Sequence, residues 1–135
     1  MPSKTLSVLA EGFVFLEGPR WRDDRLYVSD MWGHAIHTVT ASGNTTKIAD
    51  VPNRPSGLNF LPDGRLVAVS MADRKLVVVG GDGSLSDYAD ISQLAGGDIN
   101  DSVVDAAGNI YVGNFGYDLF SGEEAKLANM VRVAP

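Results

Sequence analysis

Residues 57–70 read GLNFLPDGRLVAVS, two strand-like runs that are joined by a turn at residues 62–64. A turn that contains Gly between two apolar runs is typical of a β-hairpin. The second run, residues 65–70, has counterparts at 25–30 and 109–114, so it recurs at offsets of 40 and 44 residues. A repeat of roughly 40 to 50 residues built from short strands indicates a β-propeller, in which each repeat is one blade.

Further strand-like segments flank each of these runs, and turn signals separate them. Residues 14–50 and 54–90 each provide four strands, residues 99–135 provide three, and one more is expected at residues 6–13. The sequence therefore predicts an all-β chain of about three four-stranded antiparallel blades, a partial β-propeller over residues 1–135. Strand 6–13 is expected to complete a blade. The alternative is a β-sandwich whose repeats are similar by accident.

The composition restricts the classes of partner. The net charge is −6, and no cluster of Lys or Arg forms a basic stripe, so nucleic acid is not expected as a partner. No apolar run approaches the roughly 20 residues that cross a bilayer, and the N-terminus has no signal core, so we expect a cytoplasmic protein without membrane contact. Because the chain contains no Cys, a metal site would need oxygen or imidazole ligands.

Three motifs carry a family resemblance. They are EGPRW at residues 17–21, RPSGL at 54–58, and NDSVVD at 100–105, which is followed by YVGNFGYD at 111–118. In this order and spacing they resemble the senescence marker protein, gluconolactonase and luciferin-regenerating enzyme-like family. The resemblance implies a six-bladed propeller, of which this chain supplies the N-terminal half, and a metal-dependent hydrolase of small lactones or sugar-acid esters.

The resemblance also implies a divalent metal at the mouth of the central channel. Glu17 matches the family's first metal ligand, and Asn100 matches an Asn that helps to place the substrate; both are expected at the metal site. The first strand of each blade lines the channel, so Glu17, Ser56 and Asn100 should face the same opening. Their oxygens suit Ca²⁺ first, with Mg²⁺, Mn²⁺ or Zn²⁺ as alternatives, but Ca²⁺ takes about six to eight ligands. The alternative is a solvated acid at Glu17 and an ordinary turn at residues 100–101.

The expected substrate contacts are Asn100, Asp101, Asn114, Tyr117 and Trp32. Two of them belong to an extended segment at residues 114–129, which replaces a short loop of the other repeats, and long loops often carry binding function. No catalytic residue is assigned, because the acid that the family uses as general base belongs to blades that this chain does not contain.

Four other residues are interpreted from their positions in the sequence. His34 and His37 are three residues apart, so on a strand they point to opposite faces and are not expected to bind a metal together. Trp21 is expected to pack between blades. Some relatives carry an Arg at the position of Asp98, which bears on how a sugar-acid carboxylate would be recognised.

Three blades leave two outer faces uncovered, which would expose an unusually large apolar surface. We expect two copies of the chain to form a six-bladed homodimer, in which strand 6–13 of each copy completes a blade of the other. The expected small-molecule partner is a lactone or a sugar acid. The alternatives are a non-catalytic metal- or ligand-binding propeller assembly and an inactive fragment of a longer lactonase.

Overall fold

The computed structural model describes residues 3–135, which form eleven strands in three antiparallel sheets. The first blade contains β1 (Leu16–Arg22), β2 (Arg25–Asp30), β3 (Ala35–Thr40) and β4 (Thr45–Asp50). The second contains β5 (Pro55–Phe60), β6 (Leu66–Ser70), β7 (Lys75–Val79) and β8 (Leu85–Asp90), and the third contains β9 (Ile99–Val104), β10 (Ile110–Asn114) and β11 (Val131–Val133). Strands follow chain order within each sheet, and residues 3–135 include no membrane-spanning helix. The predicted all-β partial propeller is confirmed.

The inner strands β1, β5 and β9 lie beside one another, and each carries a register shift near its start. At each shift, two residues of the inner strand lie opposite a single residue of the neighbouring strand. Residues 18–19 lie opposite Val28, 56–57 opposite Val69, and 100–101 opposite Gly113. Such bulges bend a strand and redirect its side chains. The three motifs therefore mark the bulged starts of the inner strands, and we call this end of the sheets the channel entrance.

Two of the motif glycines allow the inner strands to approach closely. A Cβ atom on Gly18 would lie 2.5 Å from the carbonyl oxygen of Ser56, and one on Gly57 would lie 2.6 Å from the Ser102 hydroxyl. Gly18 also has a φ of 59°, a conformation that other residues adopt only with strain. The spacing of the first three blades around the channel thus depends on the absence of side chains at these positions.

The core lies between the blades. Leu58, Leu66 and Ala68 pack against the first blade, and Val67 and Val69 pack against the third. Alternate residues of a strand point to opposite faces, so both faces of the second blade are covered and all of β6 is buried. Phe60 and Val104 pack at the edges of these clusters.

The outer face of the third blade is open, and that of the first blade is covered only in part, by the segment before β1. Arg22 lies over the ring of Phe60 in the second blade, so the adjacent Trp21 points the other way and is 59% exposed. The expectation that Trp21 packs between blades is therefore wrong for this chain, because no blade covers that face. On the third blade Val103 and Met130 are similarly exposed.

The segment before β1 lies along the outer face of the first blade. The backbone amides of Val14 and Phe15 donate to the Asp30 carboxylate, and the Phe13 ring meets the His37 ring edge-on at 5.4 Å. Residues 6–13, where a strand is predicted, form no strand in the single chain. A strand needs the hydrogen bonds of a neighbouring sheet edge, and the first blade presents its face here. Pairing of this segment with a sheet of another chain stays a prediction.

Candidate functional site

Glu17 is fixed at the channel entrance by a contact between two blades. The Ser56 hydroxyl donates a short hydrogen bond to Glu17 Oε2, and the Ser29 hydroxyl donates to the Ser56 carbonyl at 2.6 Å. Ser56 is buried, whereas Glu17 is half-buried, and its Oε1 accepts no hydrogen bond from residues 3–135. The arrangement therefore presents one carboxylate oxygen at the entrance. Ser56, which the sequence identified as a channel residue, orients that carboxylate.

A second polar contact joins the inner strands of the second and third blades. The Asn59 amide donates to the Ser102 hydroxyl at 2.5 Å, and both residues are buried. Buried polar groups are costly unless they are hydrogen-bonded, so this pair fixes how the two strands meet. Neither residue was predicted from the sequence, although Ser102 lies within one of the three motifs.

Asn100 and Asp101 lie in the bulge of β9. Asn100 Oδ1 extends over β10 and would be 3.0 Å from a Cβ atom on Gly113. No hydrogen bond joins Asn100 to Glu17 among the described residues. Asp101 is exposed, and its Oδ1 accepts the backbone amide of Ser102 at 2.8 Å. The structure therefore places Glu17 and Asn100 on inner strands of different blades without direct contact.

Arg20 reaches from the first blade to the third. Its Nη2 donates to the carbonyl of Ser102 at 2.8 Å and lies 3.6 Å from Asp101 Oδ1. Together with Asn100, Val103, Tyr111 and Met130 it lines an open cavity of about 480 Å³ beside the third blade. Arg20 therefore places a positive charge beside the predicted substrate contacts. It lies within the first motif, but the sequence did not predict a role for its side chain.

The extended segment after β10 is closed at its base by Asn114. The Asn114 amide nitrogen donates to the backbone carbonyl and the side chain of Asn129, each at 2.9 Å, and its oxygen accepts the amide of Gly116. Tyr117 is half-buried, and its backbone packs directly against Gly97. Asn114 therefore holds the two ends of the loop together.

The same loop brings Phe120 to Trp32. Their ring centroids are 5.5 Å apart with planes at 81°, and the Arg54 guanidinium lies 4.5 Å from the Phe120 centroid and 5.0 Å from that of Trp32. Arg54 Nη2 also donates to Asp98 Oδ2 at 2.5 Å. The sequence predicted Trp32 as a contact but missed Arg54, which opens the second motif.

The two histidines lie in different surroundings. His34 Nδ1 is 2.8 Å from the carbonyl oxygen of Pro52, on the surface. His37 lies under Phe13, its Nδ1 is buried without a hydrogen-bond partner among residues 3–135, and burial lowers its pKa. The imidazole rings of His34 and His37 therefore do not face a shared metal position.

The side chains of this chain do not by themselves fit a resident metal ion. Residues 3–135 contain no group of three or more His, Asp or Glu side chains that would hold one. Glu17 and Asn100 offer two oxygens from separate blades, whereas Ca²⁺ takes about six to eight. A metal at this entrance would need ligands from outside the chain.

Solved structures share this arrangement of strands. A gluconolactonase from Xanthomonas campestris has a TM-score of 0.77 at 20% identity, over 94% of this chain and 46% of that one. A luciferin-regenerating enzyme has a TM-score of 0.72 at 15% identity (91% and 46%), and a calcium-binding regucalcin from Agrobacterium tumefaciens has 0.61 at 23% identity (75% and 35%). The chain thus spans less than half of each of these structures. No curated protein matches its sequence.

A family model matches nearly the whole chain. The match covers residues 15–135 and is to the SMP-30/Gluconolactonase/LRE-like region. The matched part begins just before Glu17 and includes all three bulged inner strands. The chain belongs to the SMP-30/gluconolactonase/LRE-like family.

Proposed function

We propose that this chain is one half of a metal-dependent hydrolase of small lactones or sugar-acid esters. The observation that carries the proposal is the Glu17 carboxylate, which Ser56 holds at the channel entrance with one oxygen available. Membership of the family and the similarity to a gluconolactonase structure support the reaction class. The substrate would be contacted by Asn100, Asp101, Tyr117 and Trp32. Asn114 would hold the loop that carries Tyr117.

Glu17 and Asn100 would each give one ligand to the metal, and the other ligands would come from a second half ring. Hard oxygen donors favour Ca²⁺, with Mg²⁺, Mn²⁺ or Zn²⁺ as alternatives, and the similar regucalcin is a calcium-binding protein. Within this chain, Ser56 orients the carboxylate and Arg20 places a positive charge beside Asp101. The general base is not assigned to any residue of this chain.

The second half ring would be another copy of the chain, related by two-fold symmetry. One observation favours this occupant: the outer faces expose apolar side chains such as Trp21 and Met130, which a second copy would cover. The N-terminal segment also leaves Leu6 and Val8 exposed along the first blade, where they would meet the other copy. Two-fold assembly would bring two Glu17 and two Asn100 side chains around one axis.

Hydrolysis of D-glucono-1,5-lactone, measured with and without EDTA, tests the enzymatic proposal. We expect chelator-sensitive turnover that Glu17→Gln lowers by at least about 100-fold in kcat/KM, since the ligand loses its negative charge. Glu124→Gln, in the exposed loop, is the matched control. Turnover that survives both EDTA and Glu17→Gln would contradict the proposal.

Asp98, which pairs with Arg54 where some relatives carry an Arg, favours a second candidate, a non-catalytic metal- or ligand-binding assembly. In that case the folded protein would bind a divalent cation or a sugar acid in calorimetry without turnover of any lactone. The same EDTA experiment separates the two candidates, because only the hydrolase shows chelator-sensitive product formation.

A further inference from the structure

A second cavity, of about 360 Å³, lies between the first two blades at the end of the sheets that is remote from the channel entrance. Arg22 ends β1, Phe60 ends β5 and Arg25 begins β2, so the wall of this cavity comes from the far ends of these strands. Its lining residues all lie between positions 22 and 81, so the cavity is complete within one chain. A space of this size accommodates a small molecule.

The lining of this cavity is positively charged, although the whole chain has a net charge of −6. Its charged residues are Arg22, Arg25, Arg65 and Asp23. Arg65 is paired with the carboxylate of Asp63 at 2.8 Å. Asp23 lies 3.6 Å from Arg22 Nε, beyond hydrogen-bonding distance, and its side chain is 76% exposed. Two guanidinium groups are therefore opposed by a single solvated carboxylate, which leaves an excess of positive charge.

Arg22 and Arg25 lie directly opposite each other on β1 and β2. Like charges at directly opposed positions destabilise a pair of strands. The ring of Phe60 holds the Arg22 guanidinium through a cation–π contact at 4.5 Å, and Arg25 donates through its Nε to the carbonyl oxygen of Asp23 at 3.4 Å. No carboxylate among residues 3–135 accepts a hydrogen bond from either guanidinium. Two cations are thus held on one face with N–H donors available.

A buried hydroxyl group lines the same cavity. Thr38, on β3, is only 6% exposed, yet its hydroxyl makes no hydrogen bond to residues 3–135. Burial of a hydroxyl without a partner is costly, so an acceptor from outside the chain would stabilise it. Ile48 and Val79 give the cavity an apolar wall. The space therefore combines two guanidinium groups and a hydroxyl donor with an apolar surface.

We infer that this cavity is a binding site for a small organic monocarboxylate with an apolar or aromatic body. The guanidinium groups of Arg22 and Arg25 donate to the carboxylate oxygens, and the Thr38 hydroxyl donates to one of them. The body of the ligand contacts the side chains of Ile48 and Val79. A single negative charge balances the excess positive charge and offsets the repulsion between the two opposed Arg residues.

The amides of Gly64, Gly80 and Gly81 report binding at the site itself, because all three residues line the cavity. NMR titration of the full-length chain near pH 7 compares phenylacetate with three other compounds. Phenylacetamide has the same shape without the charge, acetate lacks the apolar body, and phenyl phosphate carries a second negative charge. We expect saturable shifts at these amides, with phenylacetate bound at least about tenfold more tightly than each of the others.

Substitutions in the cavity give a readout that a merely structural role would not move. Arg22→Gln and Arg25→Gln each remove one charge and keep a long side chain, so each should weaken phenylacetate about tenfold and leave phenylacetamide unchanged. Thr38→Val replaces the hydroxyl with a methyl group and should weaken phenylacetate about threefold or more. Arg132→Gln, on β11 of the third blade, is the matched control. Thermal melting of each variant verifies that it is folded.

Equal binding of phenylacetate and phenylacetamide would overturn the inference, and so would equal binding of acetate or tighter binding of phenyl phosphate. The absence of saturable shifts at the three glycine amides, or unaltered phenylacetate binding in folded Arg22→Gln and Arg25→Gln, would also overturn it. The outcome is independent of the proposed function, because no lactone, metal ion or turnover enters the measurement.

Discussion

The Ser56 hydroxyl donates a short hydrogen bond to the Glu17 carboxylate and so joins the inner strands of the first two blades at their bulges. The two residues are 39 positions apart, so this contact exists only when the blades are packed. It makes the orientation of a candidate ligand depend on the spacing of the blades.

Ser56→Ala should therefore weaken both stability and activity. Removal of the buried hydroxyl leaves Glu17 Oε2 without its protein donor, and we expect a loss of about 1 kcal/mol in the free energy of unfolding, because Glu17 is only half-buried. Urea unfolding of Ser56→Ala, Glu17→Ala and the double variant measures the coupling, since Ala at position 17 has no acceptor for the Ser56 hydroxyl. Ser121→Ala, on the exposed loop, is the control. Strictly additive effects of the two substitutions would show that the contact carries no energy.

Gly18→Ala and Gly57→Ala should destabilise the chain by about 2 kcal/mol or more, because the added methyl group would meet backbone or a buried side chain. Gly81→Ala is the matched control, since a Cβ there meets nothing within 4 Å and its φ is not left-handed. Chemical denaturation followed by circular dichroism gives the three values. Equal stability of Gly18→Ala and Gly81→Ala would disprove the close approach of β1 and β5.

Acidification should release the N-terminal segment from the first blade. Burial alone would raise the pKa of Asp30, but hydrogen bonds from the amides of Phe15, Val14 and Gly33 outweigh it and lower the pKa. A lowered pKa means that the stabilisation is complete above the ordinary aspartate value of about 3.9 and is lost as pH falls through the lower folded value.

Hydrogen exchange between pH 2 and 6, corrected for the intrinsic pH dependence, measures this release at the amides of Val14 and Phe15. We expect protection to be constant above about pH 4 and to fall below it. In Asp30→Asn, protection should be weak at every pH. Protection in the unaltered chain that persists unchanged at the lowest pH would contradict the role of the carboxylate.

A charge on an outer face should prevent assembly and leave the blade intact. Trp21→Glu places a carboxylate on the open face of the first blade, where it would be buried and unpaired in a dimer. We expect it to weaken association by at least about tenfold, as measured by sedimentation, without altering the circular dichroism. Leu127→Glu, at a fully exposed loop position, is the control. Association that tolerates Trp21→Glu would place the interface elsewhere.

The blades were predictable because their signals are local. The turn at residues 62–64 and the apolar run that follows it from Leu66 specify a hairpin without reference to the rest of the chain. Local signals do not determine whether residues 6–13 form a strand or whether Trp21 is buried. Both properties depend on a neighbour beyond the first blade. Strand propensity alone does not supply a hydrogen-bonding edge.

The candidate site was predictable only in part. The motif around Glu17 indicated the carboxylate, and the sequence marked residues 114–129 as an extended segment, but the contact of this segment with Trp32 was not predicted. The Arg54–Asp98 pair joins residues 44 positions apart on neighbouring blades, and the role of Asn114 depends on where the far end of its loop returns. Such contacts follow from blade packing and leave no periodic trace in the sequence.

Light scattering of the folded chain tests the central claim, that two half rings assemble into one propeller. The chain has a mass of 14.4 kDa, so a two-fold dimer has about twice that mass. We predict a dimer as the main folded species at micromolar concentration. A stable, fully folded species of 14.4 kDa with no larger assembly would contradict the claim.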